Sequence, residues 1–456
     1  MRLSRFVKTA SAAAIALTLT GPAAWSQSLT DTLIAAYRNS GLLEQNRAVL
    51  RAADEDVAQA VAALRPVLNW AASVDYADPA RGVDNTTGSV GLNASLLLFD
   101  FGRSRLGVDA AKESVLSARE TLKSVEQQIL LRGVAAYFGL RRENAFVQLQ
   151  ANNVRLITQQ LQASRDRFEV GEVTRTDVSI AEARLAAAQS GLAAAQGAAA
   201  RAIEEYRAAT GTTPTNLQAP PPPPATAANL VEAKSVAAQR HPDVLAAQRD
   251  VAAAELGVLI AAAGLRPRLT GSAGFNVDDD GDDTTTLGLN LSGPIYQGGQ
   301  LASLTRQAQA NRDAARSALL TTQRNIDQAV GNAWANLNVA TASRRASDEE
   351  VRAARLALRG AREEFEVGAR TTLDVLDLEQ ELLDAETNLI SAEIDRNIAV
   401  YELLSAMGLL SADHLELGIA TYDPAAYFNA VDSAPTTFVS PQGEKLDRVL
   451  RSLNRN

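Results

Sequence analysis

The sequence predicts a mostly α-helical protein whose four β-strands form part of a membrane β-barrel shared between chains. Three observations support this fold class. Two very long stretches, about 103–167 and 300–365, have a helical pattern. Four short segments alternate apolar and polar side chains. The whole series of helical and strand-like segments occurs twice along the chain.

The first 26 residues are predicted to be a secretory signal peptide. They combine a basic start, a short apolar core and a small-residue cleavage site before Gln27. Removing three positive and no negative charges changes the formal net charge from −9 to −12, and this acidic balance argues against nucleic acid as a partner. The sequence contains no cysteine, which excludes disulfides, thiolate metal sites and an acylated N-terminal cysteine. No later stretch is long and apolar enough to predict a transmembrane helix.

The mature chain is predicted to contain two structural repeats, at 27–211 and 229–408. Gly368 of the second FEVG stretch lies 197 positions after Gly171 of the first, and an LRP triplet recurs similarly. The linker 212–228 contains a run of five prolines, Pro220 to Pro224, and this run is expected to be a stiff spacer that packs into neither repeat. The tail, 409–456, departs from the repeat pattern, and either packing around the helices or mobility is compatible with it.

Each repeat has the same predicted order of elements. At about 1.5 Å per residue, the long helix measures roughly 98 Å, and two moderate helices placed end to end nearly match it. Alanine-rich faces allow such rods to pack closely as a coiled coil. The predicted order is a moderate helix (about 29–63 and 229–264), a β-hairpin (66–100 and 267–297), the long helix, a turn, and a second moderate helix (about 175–208 and 372–405).

The four strand segments favour a membrane barrel. Each is about 10 residues long, which suits a tilted transmembrane strand, and its small polar face suits a water-filled lumen. A bilayer tolerates no open sheet edge and four strands cannot close a barrel, so several chains must share one. Two chains would supply eight strands and three would supply twelve. The candidate membrane-interface aromatics are Trp70, Tyr76, Phe99, Phe101 and Tyr296.

An alternative interpretation is a soluble periplasmic coiled-coil scaffold, in which the same strands form an amphipathic sheet lying on the helices. A requirement for detergent and the presence of heat-labile trimers would distinguish the barrel from the scaffold.

With these features, the chain is similar to the TolC family of outer-membrane efflux and type I secretion channels. The resemblance covers about 28–408 and rests on the paired FEVG turns, on TDV and LDVLD after them, and on LRP before each hairpin. It implies a homotrimer with a shared 12-stranded barrel in outer-membrane lipid and a periplasmic α-barrel below. The implied partners are a periplasmic adaptor protein and an inner-membrane ABC or proton-driven transporter. Efflux and type I secretion both remain open.

The second FEVG turn is followed by two charges that the first lacks. Arg370 and Asp377 stand where the first repeat has Val173 and Ile180. Asp374 lies three residues before Asp377, so both carboxylates share one helix face. The resemblance implies that these carboxylates form the periplasmic aperture ring, where repulsion would raise some pKa values and a divalent cation would block the pore.

The resemblance also implies gate links between neighbouring helix pairs. Arg370 falls on the family's linking arginine, and Asp177 and Thr176 fall on its partners. Phe365 stands where relatives often have tyrosine, which removes one hydroxyl contact. Asp177 also completes a T-x-x-D helix start, as Asp374 does. Capping of the helix N-terminus is therefore an alternative interpretation of both aspartates, and it is compatible with a second role.

The turns themselves, Val170–Gly171 and Val367–Gly368, match the family's tips that meet the adaptor. The simpler interpretation is that any turn between two helices favours glycine.

The sequence predicts neither an enzyme nor a cofactor site. Its two histidines, His241 and His414, are far apart in sequence, and His241 precedes Pro242 at a predicted helix start rather than in a metal-ligand pattern. No glycine-rich phosphate loop is present, and nothing beside Asp374 and Asp377 completes an acid–base site. We therefore expect no metal site apart from cation block at these two carboxylates.

Overall fold

The computed structural model describes residues 27–77, 85–436 and 441–453, together with residue 438. The predicted signal peptide, 1–26, lies outside the described residues. The structure confirms the predicted class of a mostly helical chain with four β-strands. Its elements are α1 Leu29–Asn39, α2 Gly41–Ala62, β1 Val67–Ala77, β2 Asn85–Phe99, α3 Arg103–Glu169, α4 Arg175–Thr210, α5 Leu230–Arg240, α6 Pro242–Ala263, β3 Arg268–Asp278, β4 Asp283–Ser292, α7 Gln300–Glu366, α8 Thr372–Ala406, α9 Pro424–Val431 and α10 Pro441–Leu453.

The two long helices dominate the molecule. Helices α3 and α7 have 67 residues each, so each spans about 100 Å at 1.5 Å per residue. Helix α3 packs against α4, α6, α2 and α8, whereas α7 packs against α8, α6 and α5. The long helices are therefore flanked by shorter ones along their length. Within the described residues, no helix is both long and apolar enough to cross a membrane.

The first moderate helix of each repeat is broken in two. The prediction of a single helix over 29–63 was wrong, whereas the helix start predicted at Pro242 is found within 229–264. Ser40 separates α1 from α2, and its side chain accepts a hydrogen bond from the Leu43 N–H. His241 separates α5 from α6 because the following Pro242 forces it out of the helical region, to ψ 125°. The glycine that ends each repeat lies against this break. A Cβ on Gly408 would stand 2.6 Å from the Cα of His241.

The four strands form one antiparallel sheet in the order β1-β2-β3-β4. The register places the apolar residues of neighbouring strands opposite each other, as in the row Trp70, Leu92 and Phe275. Polar residues make the other face, where Asn69 lies opposite Asn93. The apolar face is open in the single chain, and Trp70 is 76% exposed. One side of the sheet thus suits lipid and the other suits water.

The main core lies where α1, α2 and α3 meet the end of α8. It includes the fully buried Tyr137 and Leu404. Leu217 packs against this core, and the Tyr137 hydroxyl donates a 2.6 Å hydrogen bond to the Gln218 carbonyl. The part of the linker that precedes the proline run thus packs on the main core. The described tail also packs, since Tyr422 joins the same core and α9 lies on α2.

Candidate functional site at the two helical turns

The two FEVG turns have nearly the same backbone. Gly171 and Gly368 adopt φ values of +82° and +77°, in the left-handed region that glycine tolerates. Each glycine N–H donates a 3.0 Å hydrogen bond to the carbonyl of the preceding phenylalanine, Phe168 or Phe365. The valines between them, Val170 and Val367, stand largely exposed at the tips. The two turns thus expose equivalent valine side chains at the same end of the long helices.

Each turn leads into a helix with a complete capping box. Thr174 and Thr371 are the N-cap residues, and each accepts a 3.3 Å hydrogen bond from the N–H of the aspartate three positions on. The aspartates, Asp177 and Asp374, accept the threonine backbone N–H at 2.8 and 2.9 Å. The structure therefore gives both aspartates the capping role that their spacing predicts. A gate role for either aspartate stays a prediction.

Arg370 is engaged within its own turn. Its Nε donates to Glu364 at 2.5 Å, and this carboxylate raises the pKa of Arg370. Hydrogen bonds from Thr371, helped by the charge of Arg370, lower the pKa of Asp374 below its ordinary value. The higher pKa expected for a carboxylate ring concerns neighbouring chains and stays a prediction.

The other predicted gate residues do not meet Arg370 within one chain. The Asp177 carboxylate accepts a hydrogen bond from the Thr174 hydroxyl, and Thr176 is exposed. The guanidinium of Arg167, at the end of α3, lies 4.6 Å from the ring centre of Phe365. A predicted link between Arg370 and Asp177 joins neighbouring helix pairs, so it stays a prediction.

Asp377 has a partner that sequence reasoning missed. The Arg184 Nη2 on α4 lies 2.5 Å from the Asp377 Oδ1 on α8. Beneath this pair, the fully buried Leu376 packs with Ile157 and Ala188. The ion pair and the apolar cluster together join the helix pair α3–α4 to α8 close to the turns.

A second missed feature is an ion pair near the turns that occurs once in each repeat. Arg165 on α3 pairs with Glu182 on α4 at 2.7 Å, and Arg362 on α7 pairs with Glu379 on α8 at 2.8 Å. The two pairs are separated by the same 197 positions as the turns, and that offset could have revealed them. The copies differ in burial, because the Glu182 side chain is 50% exposed and that of Glu379 only 8%.

The predicted membrane-interface aromatics are all exposed. Tyr76 lies at the hairpin end of β1, whereas Phe99 and Tyr296 lie at the helix end of the sheet. Phe101 packs on Phe99 with ring centres 4.7 Å apart. Trp70 lies on the apolar face of β1. This arrangement provides aromatic rings at both ends of the sheet, as interfacial anchors require, and the anchoring role itself stays a prediction.

His241 has the structural role that its position predicts. Its Nδ1 accepts a 3.2 Å hydrogen bond from the Asp243 N–H at the start of α6, and burial lowers the pKa of His241. Among residues 27–77, 85–436 and the other described positions, no cluster of three or more side chains suited to a metal ion occurs.

Comparison with known proteins shows what this arrangement resembles. The family model described as outer membrane efflux protein matches residues 34–212 and 234–409. The chain is 36% identical over 437 residues to the outer membrane efflux protein BepC of Brucella suis biovar 1, covering 93% of this chain and 95% of the relative. It is 28% identical to the outer membrane protein TolC of Vibrio cholerae, covering 85% of this chain and 92% of the relative. The solved structure of CusC has a similar fold, with a TM-score of 0.78 at 20% identity, over 84% of this chain and 92% of that chain.

Proposed function

This chain belongs to the outer membrane efflux protein family, and from that membership we propose that three copies form one gated exit duct. The protein is an outer-membrane channel component that serves efflux or type I secretion, and it is not an enzyme. Membership favours the duct over a soluble periplasmic scaffold. The number of chains, the gate and the partners are the parts that we propose.

The four-stranded sheet carries this proposal. Its apolar face includes Trp70 and Leu289, both mostly exposed, and the register places polar residues on the opposite face. Sheets of this kind satisfy their edges in a bilayer only by closing into a barrel. Three chains supply twelve strands, which leave a lumen wide enough to conduct. Cross-linking of the detergent-extracted protein tests the stoichiometry, and a predominant dimer would refute it.

The closed gate is proposed to lie at the helical turns. Arg370 of one helix pair links to Asp177 and Thr176 of a neighbouring pair, while Asp374 and Asp377 form the narrow aperture ring. The exposed tips around Val170–Gly171 and Val367–Gly368 receive the periplasmic adaptor, which pulls the helix pairs apart. An inner-membrane ABC or proton-driven transporter then supplies substrate. The support is the localised difference between two otherwise matching turns.

Single-channel conductance in lipid bilayers tests the gate. Arg370→Ser and Asp177→Ala should each increase the conductance of the closed channel, because each removes one side of the link. Both residues also have partners within their own turn, so Glu364→Gln and Thr174→Ala serve as matched controls. Equal increases in the controls would assign the effect to local turn stability, and unchanged conductance in both gate variants would refute the link.

The aperture ring has its own test. Divalent cations added on the periplasmic side should block the unaltered channel, because a ring of carboxylates concentrates cations. The double variant with Asp374→Asn and Asp377→Asn should lose this block. Persistent block in the double variant would place the cation site elsewhere.

We propose efflux as the first use to test, since the 36% identity to a relative named as an efflux protein supports it. A strain lacking this chain should become more sensitive to detergents and dyes, and expression of the intact chain should restore resistance. Unchanged sensitivity together with loss of a secreted protein from the medium would favour secretion instead.

A further inference from the structure

The ion pair between Arg184 and Asp377 lies at the proposed aperture but is separate from the proposed gate link. It joins α4 to α8 at 2.5 Å, with the arginine side chain 37% exposed and the aspartate side chain 56% exposed. An exposed pair of this kind contributes little to fold stability. Its main effect is therefore on the local charge at the proposed aperture.

Comparison of the two repeats shows that both members of the pair are positions at which the copies differ. In α4, Ile180 and Arg184 lie four residues apart; the equivalent positions of α8, 197 residues later, are Asp377 and Glu381. Ile180 packs with the apolar cluster around Leu376, whereas Asp377 points to the arginine. The first repeat thus supplies the cation and the second repeat supplies the anion.

The pairing acts on a column of negative charge. Asp374, Asp377 and Glu381 follow one another at spacings of three and four, so they lie on one face of α8. Arg184 meets the middle carboxylate. A carboxylate with a guanidinium at contact distance presents a dipole to a passing ion, and the field of a dipole falls faster with distance than that of a bare charge.

We propose that Arg184 is a selectivity-determining residue of the duct, which cancels the charge of Asp377 and limits the cation preference of the aperture. This inference rests on the proposed function, since it needs Asp377 to line the pore. Of the two proposed aperture aspartates, Asp374 then supplies most of the field that a permeating ion meets. Substrates with negative charge would meet a weaker barrier than two bare carboxylate rings would impose.

The test is the reversal potential of single channels in a potassium chloride gradient. Arg184→Gln should move it toward the potassium equilibrium potential and should tighten block by divalent cations by roughly tenfold at low salt. The change should shrink near 1 M salt, where the Debye length is about 3 Å. Arg184→Lys should restore the unaltered value, because it restores the charge, and Arg184→Gln combined with Asp377→Asn should restore it as well.

Arg142→Gln is the matched control. Arg142 on α3 also pairs with an aspartate of α8, Asp395, at 3.3 Å. It lies 26 residues before Phe168, the first residue of the first FEVG stretch. An equal shift in this control, or no shift in Arg184→Gln, would overturn the inference while leaving the duct itself intact. If the unaltered chain forms no channel, both the inference and the proposed function fail.

Discussion

Replacing Gly408 by alanine tests how the end of the second repeat is held. Gly408 has φ +76°, and a Cβ there would stand 2.6 Å from the His241 Cα and 3.0 Å from its backbone nitrogen. The left-handed conformation costs alanine about 1 to 2 kcal/mol. The contact is with backbone rather than a flexible side chain, so strain should add about 1 to 3 kcal/mol. We expect a total loss of about 2 to 5 kcal/mol in unfolding free energy.

Two other glycines provide matched controls for this change. Gly368 has nearly the same φ, +77°, but no atom lies within 4 Å of a Cβ built there. Gly211 is intermediate, because its Cβ would stand 2.8 Å from the Cβ of Asn39, a less severe contact than the 2.6 Å at Gly408. Urea unfolding of the detergent-extracted proteins, followed by circular dichroism, should rank the alanine variants with Gly408 worst and Gly368 mildest. Equal losses for all three would refute the role of the contact with His241.

Three further predictions concern charge and burial. Burial raises the pKa of the fully buried Asp54 from 3.8 to about 6, so its ionisation destabilises the fold at higher pH. Asp54→Asn should therefore stabilise the protein at pH 8 by about 3 kcal/mol, with the gain in melting temperature disappearing toward pH 4; a gain independent of pH would contradict this. Leu289→Arg on the apolar sheet face should cost about 2 to 4 kcal/mol and reduce the amount recovered in outer membranes, whereas Asn290→Arg on the opposite face should not. Glu379→Gln should lower the urea midpoint more than Glu182→Gln, because only the former side chain is nearly buried; equal losses would contradict the reasoning.

Helix ends and sheet faces were predictable because local patterns determine them. The long helix predicted at 103–167 is found at 103–169, since the glycine turn and the T-x-x-D start that follow it are local features. The alternation of apolar and polar residues likewise predicted the two faces of the sheet. The helix start at Pro242 was also predictable, because proline favours the first position of a helix, whereas the break at Ser40 carries no proline and was missed.

Contacts between distant parts of the chain were not predictable in the same way. Arg184 and Asp377 are 193 positions apart, and they meet only because α4 and α8 lie side by side. Their charges alone do not identify them among the many charged residues on the same helices. The proposed Arg370–Asp177 link would join helix pairs whose relative position depends on several chains, so neither the sequence nor one chain determines it.

The order of the sheet has a genetic consequence. Strands β1 and β4 are its outer members, so each has one side without a strand partner among the described strands of the same chain. In the proposed trimer every chain completes the barrel with strands of its neighbours, so a cell that makes normal and altered chains in equal amounts would mix them. In a random trimer only about one assembly in eight would contain three normal chains. A gate variant that still assembles should therefore be dominant over the normal allele, whereas a variant that cannot pair its strands should be recessive.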